Sequence, residues 1–176
     1  MKKTITVFGS SRPVEGEEEF NTAYNLGKLL AQKGFNICTG GYQGIMNAVS
    51  KGAIEAGAEA IGVTVDGWSA VPSKYLTKEI KCSNLNKRLE KLIEYGDAYV
   101  VLQGGTGTLV ELALVWELVN KKILNARPIV SHSTMWKEIA EIIDKQLIIE
   151  KRVTGLVKNF ETVEEIAEYL IANLQD

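Results

Sequence analysis

The glycine-rich segment from Leu102 to Glu111 has the residue types and spacing that most clearly indicate chemistry. It reads Leu-Gln-Gly-Gly-Thr-Gly-Thr-Leu-Val-Glu, so three glycines in four positions follow an apolar strand. Without Cβ atoms the backbone turns sharply and a ligand can approach its N–H groups. A helix that begins here presents free N–H donors and a partial positive charge, which together bind phosphate. The segment therefore predicts phosphate binding by Gly104, Gly105, Thr106, Gly107 and Thr108, with Glu111 nearby on the helix.

Two earlier turns have a similar strand–glycine–helix pattern and are predicted to contribute to the same nucleotide site. One is the turn from Thr39 to Met46, with Gly40, Gly41 and Gly44, and the other is the turn at Gly9 and Ser10. The sequence contains no Gly-x-Gly-x-x-Gly and no Gly-x-x-x-x-Gly-Lys-Ser/Thr motif. An ordinary NAD site and a P-loop NTPase are therefore disfavoured.

These turns must be positioned by the elements around them, and short β-branched runs alternate with longer segments of helical period. This alternation predicts one α/β domain over residues 1–176, with a doubly wound, mostly parallel, Rossmann-like sheet and helices on both faces. Ligands of such sheets bind at the carboxyl ends of strands where the strand order reverses. We predict strands at 4–8, 35–38, 58–65, 78–82, 97–102 and 127–131, and helices at 18–33, 44–56, 84–95, 107–122, 135–148 and 163–174.

Charge and composition exclude several function classes. The formal net charge is −2, so no basic surface is predicted for a nucleic acid or an anionic membrane. Cys38 and Cys82 are far apart, and the single histidine, His132, lies outside any cluster of metal ligands. We therefore expect a cytoplasmic protein with no metal, no cofactor and no nucleic-acid or membrane partner.

In its glycine turns at residues 39–46 and 102–111, the sequence resembles the LOG ("Lonely guy") family. Members of this family are often labelled possible lysine decarboxylases. The family signature is Pro-Gly-Gly-x-Gly-Thr-x-x-Glu, and only its leading proline differs here, being Gln103. Arg88 matches the arginine of a family Arg-Lys pair, whereas Leu89 replaces the lysine. The resemblance covers nearly the whole chain, although Asp66–Lys81 matches the family poorly.

The resemblance implies hydrolysis of the N-glycosidic bond of a nucleoside 5′-monophosphate, such as AMP or a cytokinin riboside monophosphate. It assigns the catalytic pair to Arg88 and Glu111, and it implies a homodimer or larger homo-oligomer. A carboxylate near the anomeric carbon would stabilise the positive charge of an oxocarbenium-like transition state. Lysine decarboxylation is disfavoured, because nothing indicates a Schiff-base lysine with an acidic partner for pyridoxal phosphate.

Two other classes of function stay open at the level of the sequence. One is a non-catalytic carrier of a nucleotide or of the molybdenum cofactor that uses the same phosphate-binding pocket. The other is a DNA-binding relative of DNA-processing protein A, which the acidic charge balance disfavours. Tyr42 and Trp68 lie in predicted ligand loops, and either is a candidate to stack on a base.

Overall fold

The computed structural model describes residues 2–174, which build one parallel sheet with helices on both faces. Within that range, seven strands lie in the order β4-β3-β2-β1-β5-β6-β7, and every neighbouring pair is parallel. The strands are β1 (Thr4–Phe8), β2 (Asn36–Thr39), β3 (Ala60–Val65), β4 (Lys78–Cys82), β5 (Ala98–Val101), β6 (Ile129–His132) and β7 (Val157–Phe160). The helices are α1 (Glu18–Gln32), α2 (Ile45–Glu55), α3 (Leu85–Tyr95), α4 (Thr106–Asn120), α5 (Thr134–Ile149) and α6 (Val163–Leu174).

Two apolar layers hold the helices on opposite faces of this sheet. Helices α1, α2 and α6 share one layer, in which Leu26, Val49 and Leu170 are fully enclosed. Helices α3, α4 and α5 share the other layer, which contains Leu92, Val115 and Trp136. The predicted doubly wound architecture is therefore confirmed.

The strand order reverses between β1 and β5, and this reversal locates the ligand-binding edge. The chain builds β1 to β4 outward on one side, then returns so that Phe8 pairs with Val101 at the centre of the sheet. The carboxyl ends of β1 and β5 thus open side by side into one crevice.

The edge strand β7 is the one regular element that the sequence pattern did not predict. Its four residues include Lys158 and Asn159, which are too polar to show an apolar run. This segment is a strand because its four residues pair with four residues of β6, and its intrinsic β propensity contributes less. In the part of the chain from residue 2 to residue 174, no helix combines the length and apolarity needed to cross a membrane.

Candidate functional site

The loops that follow β1 and β5 are tied to each other and to helix α2. The Ser10 amide donates to the Gln103 carbonyl at 2.8 Å, and the Ile45 amide donates to the Ser10 carbonyl at 2.8 Å. These bonds fix three predicted turns as one rigid edge. Backbone hydrogen bonds alone therefore hold the three turns together at the strand reversal.

A cavity of about 520 Å³ opens above this edge. Its polar wall comes from the turn after β1 and from the glycine loop before α4. Its opposite wall comes from α2, α3 and the segment after β3. The predicted site residues that line the cavity include the two aromatic candidates, Tyr42 and Trp68, together with Gly9, Ser10, Arg88, Gly105, Thr106, Gly107, Thr108 and Glu111.

Arg88 and Glu111 form a buried ion pair in the wall of the cavity. Arg88 Nη1 donates to Glu111 Oε1 at 3.2 Å, and the two residues are only 7% and 8% exposed. Arg88 Nε also donates to the Val63 carbonyl at 2.9 Å, which holds the guanidinium in one orientation. Helix α3 carries the arginine and helix α4 carries the glutamate, so two helices on one face of the sheet meet here.

The burial of Glu111 changes its acid strength. Loss of hydration raises the pKa of this carboxyl from 4.5 to about 7, although the positive charge and hydrogen bond of Arg88 act in the opposite direction. The carboxyl group therefore gains and loses a proton near neutral pH. A group with such a pKa is suited to accept a proton in one step and return it in another.

Helix α4 begins at the glycine loop with its first N–H groups free. Gly105 is the N-cap residue, and no side chain caps the helix. A Cβ on Gly105 or Gly107 would meet nothing within 4 Å, so the space above both residues is open to a ligand. Gly104 differs, because a Cβ there would lie 2.1 Å from Thr108 Oγ1. Gly104 lines an adjoining groove, and the absence of a Cβ at this position leaves room for the Thr108 side chain.

The structure places Gly40, Gly41 and Gly44 behind the cavity wall instead of along it. A Cβ on Gly40 would lie 1.7 Å from Arg88 Nη2, so the glycine makes room for the guanidinium. Gly41 and Gly44 have φ angles of 78° and 68°, which favour glycine. Their predicted contact with the nucleotide stays a prediction, whereas their contribution to the shape of the site is visible.

Several lining residues were not singled out in the sequence. Arg12 and Ser11 extend the polar wall, and Met46, Leu85 and Val110 add apolar surface. Leu85 lies three positions before Arg88 on α3, and Val110 precedes Glu111 on α4. The sequence could have indicated Leu85 as a lining residue, because residues three positions apart lie on the same face of a helix.

Gln103 and Leu89, which differ from the residues of the LOG family at these positions, have identifiable environments. Gln103 Nε2 donates to Glu19 Oε1 at 3.1 Å, so this residue joins the glycine loop to α1. Leu89 is buried and lines the cavity, where it contributes apolar surface in place of an ammonium group. His132 lies in a neighbouring groove, with Nδ1 3.1 Å from the Phe160 carbonyl.

Sequence comparison gives relatives with named activities. The chain is 27% identical over 173 residues to the cytokinin riboside 5′-monophosphate phosphoribohydrolase of Rhodococcoides fascians, covering 88% of this chain and 87% of that protein. It is 31% identical over 105 residues to the pyrimidine/purine nucleotide 5′-monophosphate nucleosidase of Escherichia coli K12. That match covers 54% of this chain and only 23% of the E. coli protein.

Comparison of folds gives a full-length match to a protein that is named as a carrier, whereas the sequence relatives above are named as enzymes. The structure of the molybdenum cofactor carrier protein from Chlamydomonas reinhardtii superposes with a TM-score of 0.78 at 24% identity, covering 99% of both chains. At this identity the likeness shows the fold alone.

A family model settles the membership that the LOG-like signature suggested. The model described as the SLOG cluster4 family matches residues 2–161, which include all three glycine turns, Arg88 and Glu111. The chain belongs to the SLOG cluster4 family, and its named relatives make it a divergent member of the LOG family.

Proposed function

We propose that this protein hydrolyses the N-glycosidic bond of a nucleoside 5′-monophosphate and releases the free base and ribose 5-phosphate. The observation that carries the proposal is the buried Arg88–Glu111 pair in a cavity at the strand reversal, beside a glycine loop that opens a helix. Relatives named as phosphoribohydrolase and nucleosidase support a small-molecule nucleotide as ligand.

The 5′-phosphate is assigned to the start of α4. Free N–H groups around Gly105, the helix dipole and the Thr106 hydroxyl all favour an anion there. Arg12 on the turn after β1 adds a positive charge to the same wall. At a rise of 1.5 Å per residue, Glu111 lies about 7.5 Å further along the helix axis than Thr106. A ribose held by its 5′-phosphate therefore presents its far side to the carboxylate.

Glu111 is assigned as the residue that stabilises the developing charge and activates water. As the C1′–N bond breaks, its electron pair goes to the base nitrogen and positive charge grows on the ribose. The carboxylate stabilises that charge and accepts a proton from the attacking water, whose oxygen bonds to C1′. The proton then goes to the departing base, so all atoms and charges balance. A pKa of about 7 suits both proton transfers.

Arg88 is assigned a role in both binding and orientation. Its guanidinium holds the Glu111 carboxylate at 3.2 Å. Its guanidinium also lines the cavity and can donate to ribose or phosphate oxygens. The proposed base is adenine or a cytokinin. The glycine loop, Arg88 and Glu111 are assigned to the phosphate and the ribose, so they do not distinguish between these bases.

A non-catalytic carrier of a nucleotide or of the molybdenum cofactor is the second candidate. It is favoured by Leu89, which removes a charge that the LOG family places near its substrate. Incubation of the protein with AMP separates the two candidates. The hydrolase releases equimolar adenine and ribose 5-phosphate, measured by chromatography, whereas a carrier leaves AMP intact even at equal concentrations of protein and nucleotide. The homodimer, the cytoplasmic location and the single domain over residues 1–176 stay predictions.

A further inference from the structure

The segment between β3 and β4 has one well anchored half and one half whose backbone is held mainly at Asp66, where the amide donates to the Cys82 carbonyl at 2.8 Å. Its second half is held to the body of the protein, because the Ser73 amide donates to the Gly41 carbonyl at 2.8 Å and Gln43 Nε2 donates to the Pro72 carbonyl at 3.0 Å. Residues 66–70 are all exposed. Gly67 has a φ of 78°, and the Trp68 amide makes only a long 3.4 Å bond to the Val65 carbonyl. Trp68 therefore stands on a short loop that few bonds restrain.

Two aromatic side chains face Arg88 from this side of the cavity, and only one of them is free to bind a ligand. Tyr42 is 5% exposed, and its hydroxyl accepts from the Val65 amide at 2.8 Å, so the ring is fixed. Trp68 is 47% exposed although it lines the cavity. The Arg88 guanidinium carbon lies 5.7 Å from the Tyr42 ring centroid and 6.0 Å from the Trp68 ring centroid.

Trp68 also stacks on the Tyr42 ring, with centroids 5.9 Å apart and ring planes at 19°. The aliphatic side chains Leu85, Leu89 and Ala70 line the same cavity. For a nucleotide with its phosphate at Gly105 and its C1′ atom at Glu111, we place the base beside these aromatic and aliphatic side chains. An exposed indole beside aliphatic side chains provides a flat apolar surface that suits the face of an aromatic ring.

We propose that Trp68 is the residue that recognises the base, by stacking its indole on the ring of the bound nucleotide, while Tyr42 positions Arg88. This proposal rests on the function proposed above for the placement of the nucleotide. It assigns base recognition to the segment 66–70, which lies in the part of the sequence that departs from the LOG pattern. An aromatic base is thereby a requirement for tight binding, beyond the sugar and the phosphate.

Tryptophan fluorescence tests this assignment directly, because the three tryptophans differ in exposure. Trp116 and Trp136 are 6% and 1% exposed, so Trp68 is the one that a ligand in the cavity can reach. AMP should quench the emission of the wild type, and the quenching should disappear in Trp68→Phe although the nucleotide still binds. Quenching that persists unchanged in Trp68→Phe would contradict contact between the indole and the base.

Binding constants from calorimetry supply a second readout, measured with Glu111→Gln as the common background of all variants so that AMP is not consumed during the titration. Trp68→Ala should raise the Kd of AMP roughly 5- to 150-fold, the range expected for loss of one base–aromatic stack. Trp68→Phe should recover most of this loss. Ribose 5-phosphate, which lacks a base, should bind the wild type and Trp68→Ala within a factor of about two, since stacking is absent from both complexes.

Val71→Ala is the matched control, because it removes a 68% exposed apolar side chain from the same segment. It should bind AMP like the wild type. Equal AMP affinity in Trp68→Ala and the wild type, or an equal loss for AMP and ribose 5-phosphate, would overturn the assignment. A wild type that binds AMP without hydrolysing it would refute the proposed reaction while the Trp68 comparison still decides base recognition. A wild type that binds no AMP would refute both proposals.

Discussion

Replacement of Glu111 by glutamine should make the protein more stable at alkaline pH. The carboxyl is 8% exposed, and its pKa is about 7 in the folded protein against an ordinary value of 4.5. Between these two pH values the folded state binds more protons than the unfolded state. The contribution of Glu111 to the free energy of unfolding therefore falls as the pH rises through this window.

The magnitude follows from the two pKa values. Ionised Glu111 costs the folded state about 3 kcal/mol at pH 8 and about 1 kcal/mol at pH 5, relative to its protonated form. Glutamine has the size of the protonated acid and cannot ionise. Glu111→Gln should therefore exceed the wild type in stability by about 3 kcal/mol at pH 8 and by about 1 kcal/mol at pH 5.

Urea denaturation of both proteins at several pH values measures this difference. All other titrating groups are shared, so their contributions cancel when the two curves are subtracted. The refuting result is a Glu111→Gln variant that is less stable than the wild type at pH 8. That outcome would mean that attraction to Arg88 at 3.2 Å outweighs the loss of hydration.

Three further predictions concern binding and assembly. Gly105→Val should abolish AMP binding in calorimetry without unfolding the protein, because its Cβ meets nothing within 4 Å yet fills the space above the helix start; unchanged affinity would place the phosphate elsewhere. Arg88→Ala should raise the Kd of AMP and lower kcat together, since a positioning cation contacts ground state and transition state alike; steady-state and binding measurements that show loss of only one would contradict this. Light scattering should give about 39 kDa, twice the 19.4 kDa chain, because α4 and α5 form an apolar groove of about 310 Å³ that is lined in part by the exposed Ile143; a constant 19 kDa would exclude the dimer.

The sequence predicted the fold well because its strong signals are local. Buried central strands such as Ala98–Val101 read as continuous apolar runs, and glycines such as Gly34, with a φ of 91°, end the helices. The edge strand β7 was missed because its residues are half polar and only its pairing with β6 makes it a strand. The apolar residues Leu112 and Val115 of α4 are buried within the chain, in the layer shared with α3 and α5.

The candidate site was predictable where a motif marks it and unpredictable where the fold assembles it. The loop at Gly105 and the acid Glu111 lie in one short segment, so their proximity follows from helix geometry. The contact of Arg88 with Glu111 spans 23 positions and depends on how α3 and α4 pack. The role of Gly40 as the space for Arg88 could not be read from the sequence, because its glycine pattern resembles a phosphate loop equally well.

The rate of adenine release from AMP by the wild type, Glu111→Gln and Glu117→Gln tests the central claim most directly. Glu117 lies on the same helix but is half exposed and pairs with Arg152 at 2.8 Å outside the cavity, so it is the matched control. The wild type and Glu117→Gln should hydrolyse AMP alike. Glu111→Gln should lower kcat by at least ~100-fold, about 2.7 kcal/mol of transition-state stabilisation, with little change in affinity for AMP. A Glu111→Gln variant as fast as the wild type, or a wild type that releases no adenine, would contradict the proposed hydrolysis with Glu111 as its catalytic residue.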